Sequence, residues 1–335
     1  AVSLWVSDFM KYSAYKNSIT VFGHTKARKF LSKNYVNINL KSINSKITSS
    51  TKEYTNIIIK HLTNKHFDIV EIHNRPIMVE DFAKNISSKI ILYLHNDPKT
   101  MKGSKSKNEK LFLLENVDKI VFISDWVKKQ FFSNLEFNDH NKTEVIYHSI
   151  DPIKKISKKK KQIIFVGKLN EAKGYDLFCD AVDKVLKKYA DWKAFSIGDE
   201  KRFQEFYTNK KQINLGLLDN KKVLKIFQES EIAVIPSRWE EPFGRTALES
   251  SSRGCATIIS NKGGLTETTK DAIVLKKLDS LNIEKEILKL IKNNNFRRKL
   301  QQSGLQNLKH VLKLNSVKID FMRSTLFPFS NFNTN

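Results

Sequence analysis

The sequence has few cysteines, and it has no apolar run long enough to cross a membrane. Its 335 residues contain two cysteines, Cys179 and Cys255, which lie among apolar neighbours without the spacing of a metal site. This pattern is typical of buried, reduced thiols in a cytosolic protein and not of a disulfide framework. A transmembrane helix needs about 20 consecutive apolar residues, so the sequence predicts no membrane span.

Acidic residues and arginines are scarce as well. The chain has 35 acidic residues and 59 basic ones, of which 50 are Lys and nine are Arg, so its formal net charge is +24. Nucleic-acid readers depend on Arg for bidentate contacts, so this composition predicts no nucleic-acid partner. It leaves open a general Lys bias, an anionic acceptor, or peripheral binding to the anionic inner face of the plasma membrane. The basic loop 101–107 is a candidate for such a contact, or a solvated loop.

Several fingerprints of other protein classes are missing. No G-x-G-x-x-G follows a strand with an acidic residue about 20 positions later, which disfavours a nicotinamide-dependent oxidoreductase. No repeat of 20–50 residues stands out, which disfavours a solenoid. No His, Asp and Glu cluster has metal-ligand spacing, so we expect no required metal or cofactor.

Short apolar runs alternate with helical patterns along the chain, which predicts an α/β fold with parallel sheets. Two doubly wound domains are predicted over 1–153 and 162–316, joined by a Lys-rich linker at 154–161, with a helix at about 317–335 crossing back to the first domain. Ligands are expected in a cleft at the carboxyl ends of the strands. The predicted strands are 18–22, 68–72, 90–94, 119–123 and 144–148, then 162–166, 194–197, 213–217, 232–235 and 256–260.

The segment from Ile232 to Gly254 is the most informative part of the sequence. A buried strand ends at Pro236, and a helix is predicted from Arg245 to Arg253. Glu241 therefore lies on a strand-to-helix loop, and Glu249 projects from the second turn of the helix. The amides of Phe243, Gly244, Arg245 and Thr246 are expected at the helix N-terminus, which is a place for an anionic group.

Further motifs stand in a fixed order around this segment. In the second half they are Phe165–Gly174, Gly216–Leu217, Ile235–Ser237 and Gly263–Glu267; looser matches in the first half are 67–73, 92–95, 121–124 and 145–151. Together they resemble the retaining glycosyltransferases of family four. The resemblance implies the GT-B fold, in which two Rossmann-like doubly wound domains face each other across a cleft.

The resemblance also implies roles for the second-half residues. Departure of a nucleotide diphosphate leaves negative charge, which Lys168, Lys173 and the amides after Pro242 would stabilise. Glu241 would bind hydroxyls of the donor sugar, and Glu249 would bind the ribose. The other donor-binding candidates are Gly167, Gly216, Leu217, Phe243, Gly244, Arg245 and Thr246. The family commonly has Arg where Lys168 stands, so a bidentate contact is replaced by a point charge.

Two histidines are the candidates in the first domain. His95 follows the strand 90–94, at the carboxyl edge of the predicted sheet. The resemblance implies that it contacts the donor sugar or phosphate, and a structural histidine is the alternative. His73, at the end of the strand 68–72, is the candidate on the acceptor side, with a structural role left open.

The family's opening strand and glycine-rich loop have no counterpart, because residues 1–15 already have the pattern of the following helix. We therefore expect a vacant or distorted strand position in the first sheet. The function implied is retaining, metal-independent transfer of a hexosyl group from a nucleotide sugar to a saccharide or glycolipid, in envelope polysaccharide or lipopolysaccharide synthesis. The alternative is a catalytically impaired or fragmentary GT-B protein that binds nucleotide or sugar without turnover.

Overall fold

The computed structural model describes residues 2–25, 34–40, 50–150, 153–200, 209–269 and 271–326, with only the backbone helix described over 307–316. The chain divides into two compact units. The first unit comprises Ala1–Ser149 and Lys313–Asn335, and the second comprises Ile150–Leu312. No helix in the described ranges is long and apolar enough to cross a membrane.

A six-stranded sheet forms the centre of the second unit. All its ladders are parallel, and the order of the described strands is β12-β11-β10-β7-β8-β9. Its central strands are continuous apolar runs, as expected for a parallel sheet covered on both faces. The strands are β7 (Lys160–Val166), β8 (Lys193–Ile197), β9 (Gln212–Asn214), β10 (Ser230–Ile235), β11 (Ala256–Ile259) and β12 (Ile273–Val274).

Helices cover both faces of this sheet, and each face has its own apolar core. One core packs Val182 and Val185 of a helix and Ile287 of another against the sheet. The opposite core includes Phe227 and Ala247. The helices are α6 (Tyr175–Lys188), α7 (Asn220–Glu229), α8 (Arg245–Ser252), α9 (Leu265–Thr268), α10 (Ser280–Lys292) and α11 (Asn294–Leu326), the last of which ends in the first unit.

The described strands of the first unit form two parallel sheets. One has the order β3-β4-β5-β6, the other pairs β1 with β2, and no ladder joins β1 to β3 in the described ranges. The strands are β1 (Val21–Gly23), β2 (Tyr35–Asn37), β3 (Ile69–His73), β4 (Lys89–Leu94), β5 (Lys119–Phe122) and β6 (Thr143–Val145). Whether this division reflects the expected vacant strand position stays a prediction.

The helices of the first unit flank the larger sheet. Trp5 and Phe9 of the first helix pack with Tyr93 and Val121 of the sheet and with Ile319 of α11. The end of α11 therefore belongs to the core of this unit. The helices are α1 (Val2–Tyr12), α2 (Ser50–Thr63), α3 (Val79–Asn85), α4 (Lys107–Asn116) and α5 (Asp125–Phe132).

The α/β class with parallel sheets is confirmed, and several boundaries differ from the prediction. The predicted strand 213–217 ends at Asn214, and Leu217 is 74% exposed because the chain turns at Gly216 with a positive φ. Lys160 and Lys161, assigned to the linker, begin β7. The predicted helix over 317–322 is part of the 33-residue α11. The linker residues Asp151 and Pro152 lie outside the described residues, as do 327–335 of the predicted crossing helix.

Candidate functional site

Lys173 and Glu241 form an ion pair in the second unit, with 2.6 Å between Nζ and Oε1. Lys173 ends a short 3-10 helix, Glu171–Lys173, whose first turn is capped by the side chain of Asn170. Gly174 then turns the chain with a φ of +69°, and a Cβ there would lie 2.0 Å from the carbonyl oxygen of Pro236. The Lys173 loop therefore packs directly on the end of β10, which leads to Glu241.

Backbone and side-chain contacts hold these two loops together. The carbonyl oxygen of Ala172 accepts hydrogen bonds from the amides of Arg238 and Trp239, both at 2.9 Å. The Arg238 guanidinium donates to both carboxylate oxygens of Asp176 at 2.6 Å. Such a bidentate pair fixes geometry as well as charge. Lys173 and Glu241 thus meet across a rigid junction.

A third loop supports Glu241 from the other side. The amide of Gly264 donates to the carbonyl oxygen of Glu241, and the amide of Gly263 donates to the carboxylate of Glu240, both at 2.6 Å. A Cβ at Gly263 would lie 2.2 Å from the same Glu241 oxygen. Glycine is therefore required where this loop approaches the backbone of Glu241.

Helix α8 begins directly after this junction. Gly244 is its N-cap residue with a φ of +92°, and no side chain caps the helix within the described residues. Phe243 is buried, and it anchors the loop. The amides at the start of α8 are consequently placed where a helix attracts anionic groups.

Glu249 lies on the second turn of α8 and is 5% exposed. Its Oε1 atom accepts hydrogen bonds from Arg245 Nε at 2.9 Å and from Asn220 Nδ2 at 3.0 Å. Two donors on one oxygen fix the orientation of the carboxylate and offset the cost of burying it. Asn220 was not found from the sequence, because it precedes Glu249 by 29 positions and belongs to no motif.

The remaining second-unit candidates lie on neighbouring loops. Lys168 is exposed after β7 and forms no ion pair with a described residue. Gly167 donates its amide to Ile197, and the carbonyl oxygen of Gly216 accepts from Gly198 at 2.9 Å. The structure thus joins Lys173 to Glu241 and leaves Lys168 outside that pair. Thr246 is half-buried in the first turn of α8.

Three histidines lie together in the first unit. His73 ends β3, His95 follows β4, and His148 lies beyond β6. The Nδ1 atom of His73 is 3.1 Å from the Nε2 atom of His95, and the ring centroids of His95 and His148 are 5.7 Å apart. The ring of Trp5 contacts all three. Burial first, and then the charges that His73 and His148 can carry, hold the pKa of His95 well below its usual range.

A buried ion pair lies beside these rings and was not predicted. The guanidinium of Arg323, on α11, donates to both carboxylate oxygens of Glu71, on β3, at 2.8 Å. Burial alone would raise the pKa of Glu71, but Arg323 and the contact with His73 lower it far below its usual value. No local pattern could reveal this pair, because 252 positions separate its partners.

The two cysteines are buried and free, as predicted. Burial raises the pKa of the Cys179 thiol to about 12 and that of Cys255 to about 11, so both stay protonated. Within the described residues, no group of three His, Cys, Asp or Glu side chains could hold a metal ion. The basic loop 101–107 is packed at Ser104, which is fully buried.

Residues 148–307 match the family model described as "Glycosyl transferases group 1". YtcC of Bacillus subtilis is 25% identical over 279 residues, which are 72% of this chain and 67% of that protein. An uncharacterized 41.2 kDa protein in the cps region of Klebsiella pneumoniae is 24% identical, over 65% of this chain and 66% of its own length. The chain thus spans about two thirds of the length of these relatives.

A solved structure shares the fold over nearly the whole chain. HepE of Anabaena, crystallised in complex with UDP and glucose, superposes with a TM-score of 0.75 at 13% sequence identity. The superposition covers 96% of this chain and 95% of HepE. The likeness shows the GT-B fold, whose two Rossmann-like domains each consist of a parallel sheet covered by helices.

Proposed function

We propose that the chain, whose residues 148–307 match the model of the group 1 glycosyltransferases, moves a hexosyl group from a nucleotide-diphosphate sugar to a saccharide or glycolipid acceptor, with retention of configuration. The observation that carries this proposal is the ion pair of Lys173 and Glu241 at the start of α8. It brings a cation, a carboxylate and a helix N-terminus together within the matched region.

The cationic part of the site suits a departing diphosphate. As the bond between the sugar and the phosphate breaks, negative charge develops on the phosphate oxygens. Lys173 pairs with Glu241 in the loop before α8, and the exposed Lys168 follows β7. We assign both ammonium groups, with the amides from Phe243 to Thr246, to stabilising that charge. Preorganised donors of this kind contribute about 2.7–4 kcal/mol each to transition-state stabilisation.

Glu241 is assigned to the hydroxyls of the donor sugar. Its carboxylate is 14% exposed and is oriented by Lys173, so it can accept hydrogen bonds from hydroxyl groups. A covalent role for Glu241, as in retaining glycosidases, would need a second carboxyl group about 5 Å away, and we assign no residue to that role. We propose instead that the acceptor hydroxyl attacks on the face from which the diphosphate departs, and that the departing phosphate accepts the proton of this hydroxyl. The residues assigned to these steps need no metal ion.

Glu249 is assigned to the ribose of the nucleotide. Asn220 and Arg245 both bind its Oε1 atom, and we assign Oε2 to the ribose hydroxyls. The backbone at Gly167, Gly216 and Leu217 is assigned to the remaining nucleotide contacts. UDP is the first nucleotide to test, because the structurally similar HepE was crystallised with it.

One relative and the net charge support the proposed acceptor and biological setting. A relative lies in a cps region, which favours synthesis of an envelope polysaccharide or lipopolysaccharide. The net charge of +24 favours a cytoplasmic protein that binds the anionic inner face of the plasma membrane or an anionic acceptor. We assign no nucleic-acid partner.

Thermal unfolding in the presence of UDP, GDP, ADP and their common sugar conjugates tests the nucleotide site. A ligand at 100 times its Kd stabilises the folded state by about 2.7 kcal/mol. We expect one nucleotide to raise the Tm of the wild type and to have no effect on Glu249→Ala. Release of that nucleotide from its sugar conjugate, with an added acceptor, then tests transfer.

The matched control is Glu284→Ala, which removes another largely buried carboxylate of the second unit, paired with Lys188. It is expected to keep the nucleotide-dependent shift. A folded wild type that responds to none of the nucleotides would contradict the proposal. Binding without transfer would favour the alternative of a protein that holds nucleotide without turnover.

A further inference from the structure

The segment 99–107 of the first unit, between β4 and α4, contains four lysines. One of them, Lys107, pairs with Glu136 at 2.6 Å. The others are exposed and have no ion pair with any described residue; they are Lys99, Lys102 and Lys105. Because like charges repel each other, such a cluster is unfavourable by itself and favours binding of an anionic partner.

Hydrogen bonds within the segment fix its backbone. The carboxylate of Glu109 accepts the amides of Gly103 at 3.1 Å and of Lys105 at 2.8 Å. The fully buried Ser104 donates its hydroxyl to the carbonyl oxygen of Pro98 at 2.9 Å. The lysines therefore project from a fixed backbone and not from a flexible loop, so little backbone entropy is lost when they meet a partner.

The carboxylates that flank these lysines bind backbone amides. Asp97 accepts the amide of Lys99 at 3.0 Å as the cap of a short 3-10 helix, and Glu109 accepts the amides of the segment. From position 97 to position 110 the chain has five lysines and these two carboxylates, so this stretch keeps a positive charge.

An exposed isoleucine adjoins the segment. Ile77 is 37% exposed and lies in a short 3-10 helix, Pro76–Met78, after β3. Gly103 has a φ of +91°, and a Cβ there would lie 2.5 Å from the amide nitrogen of Ile77. Glycine is therefore required where the segment packs on the backbone of Ile77. Unpaired cations and an exposed apolar residue thus lie side by side.

We propose that the segment 99–107 and Ile77 form the surface by which the protein binds a bilayer that contains anionic lipid. The proposal rests on the membrane partner of the proposed function and gives that partner a place on the first unit. Lysines bind the anionic surface by charge, and an adjacent apolar side chain enters the boundary of headgroups and acyl chains. Nucleic-acid readers depend on Arg, whereas the segment has none.

Sedimentation of the full chain with lipid vesicles tests the proposal. The vesicles contain phosphatidylcholine alone or phosphatidylcholine with phosphatidylglycerol, in about 0.1 M salt, where the Debye length is about 10 Å. We expect binding to the anionic vesicles only, and weaker binding as the salt concentration rises. No binding by the folded wild type, or equal binding to both kinds of vesicle, would overturn the proposal.

A combined variant of three lysines tests the surface itself. Each lysine near an anionic bilayer strengthens binding by about fivefold, so Lys99→Gln, Lys102→Gln and Lys105→Gln together should weaken it by about 10²-fold. The matched control changes exposed lysines of the second unit that have no ion pair with a described residue: Lys276→Gln, Lys285→Gln and Lys292→Gln. Both variants lose the same charge. Equal weakening would therefore assign the binding to net charge and overturn the proposal.

Ile77→Ser tests the choice of a bilayer over other anionic partners. We expect it to weaken vesicle binding by about fivefold, the effect of losing one partly exposed apolar side chain. Leu281→Ser is the control, because Leu281 is 65% exposed in the second unit, and it should bind like the wild type. Unchanged binding in Ile77→Ser would overturn the proposal. So would retention of the wild type on duplex DNA that depends on the same three lysines.

The outcomes separate this surface from the donor site of the proposed function. The combined lysine variant should keep the nucleotide-dependent rise in Tm, because the residues assigned to the nucleotide lie in the second unit. A wild type that binds anionic vesicles but responds to no nucleotide contradicts the donor site and supports the surface. A wild type that responds to a nucleotide but binds no anionic vesicles overturns the surface alone.

Discussion

A carboxylate–cation pair of the first unit and one of the second differ in the burial of their cations. Glu71 and Arg323 in the first unit are 18% and 8% exposed at their side chains, and further hydrogen bonds surround them. Lys173 and Glu241 in the second unit are 29% and 14% exposed. A buried pair is costly to break, whereas an exposed pair can be opened by a ligand at little cost. Because the two carboxylates are similarly buried, it is the exposure of the cation that distinguishes a structural ion pair from one available for chemistry.

The surroundings of the two pairs agree with this distinction. Arg323 also contacts Ser13 and lies over the ring of Phe9, so it joins α11 to α1 as well as to β3. Lys173 has no such additional contacts among the described side chains, but its backbone is firmly held. A fixed backbone with an available ammonium group is what a transition-state contact requires.

Arg323→Met should produce the largest change in stability. The substitution leaves the buried carboxylate of Glu71 without its cation, and we expect a loss of about 3–5 kcal/mol in the free energy of unfolding. Urea denaturation measures it. Arg298→Met is the control, because Arg298 is an exposed residue of the same helix. A loss below about 1 kcal/mol would place the Glu71–Arg323 pair in the same class as an exposed one.

Lys173→Ala should reduce the transfer rate strongly and stability only slightly. We expect transfer to fall by about 10²-fold or more, since an interaction of the transition state is lost. The free energy of unfolding should fall by less than in Arg323→Met, because Lys173 is more exposed than Arg323. Steady-state kinetics and urea denaturation of the same preparation give both numbers.

Lys188→Ala serves as the control for Lys173→Ala, because Lys188 is an exposed lysine that pairs at 2.7 Å with a largely buried carboxylate, Glu284, in the same unit. Its transfer rate should equal that of the wild type. Turnover near the wild-type rate in a folded Lys173→Ala protein would remove Lys173 from the mechanism. The greater exposure of Lys173 would then not indicate a role in transfer.

Asn220→Ala should have a smaller effect, limited to the nucleotide. Without its contact of 3.0 Å, Glu249 is held by Arg245 alone, and we expect the Kd of UDP to rise by about tenfold. The rate at saturating donor should stay nearly the same, because Asn220 does not contact the reacting atoms. Titration calorimetry and steady-state kinetics distinguish the two quantities.

Asn282→Ala is the matched control for Asn220→Ala. Asn282 also lies in the first turn of a helix and donates to a carboxylate, Asp279, at 2.7 Å. Because α10 contributes no residue to the site, the Kd of UDP should not change. If Asn220→Ala also left it unchanged, the hydrogen bond to Glu249 would be structural only.

The sequence predicted the second unit better than the first. Lys173, Glu241 and Glu249 stand in short motifs next to strong strand patterns, so their elements could be recognised locally. Glu71 lies in a strand pattern like any half-buried residue, and its partner Arg323 is distant in sequence. Pairing between distant residues depends on the assembled fold, which local periodicity does not describe.

The short strands show the same limitation. β2 (Tyr35–Asn37) and β12 (Ile273–Val274) were not predicted, because three residues and two residues cannot display a period. The opposite error occurred at Leu217, where an apolar residue was placed in a strand but is exposed. Gly216 already ends the strand pattern, and the turn there decides the position of its neighbour.

Lys110 extends the comparison to a cation that has no carboxylate in an ion pair with it among the described residues. It is fully buried under α5, donates to the side chain of Asn134, and lies 5.7 Å from the ring of Phe131. Burial, together with the charge of Lys99, lowers its pKa to about 8, and Asp97 opposes this shift. The unfolded chain retains the ordinary pKa of about 10.4.

The sign of the pH dependence follows from these values. Between about pH 8 and 10 the unfolded chain binds the Lys110 proton more tightly than the folded protein does, so stability due to this group rises with pH. The slope cannot exceed about 1.4 kcal/mol per pH unit for one proton. Urea denaturation at several pH values should show that contribution in the wild type and in Lys129→Met, which removes an exposed lysine of α5. The contribution should be absent in Lys110→Met. If the free energy of unfolding of Lys110→Met and of the wild type changed in parallel across this pH range, Lys110 would have an ordinary pKa.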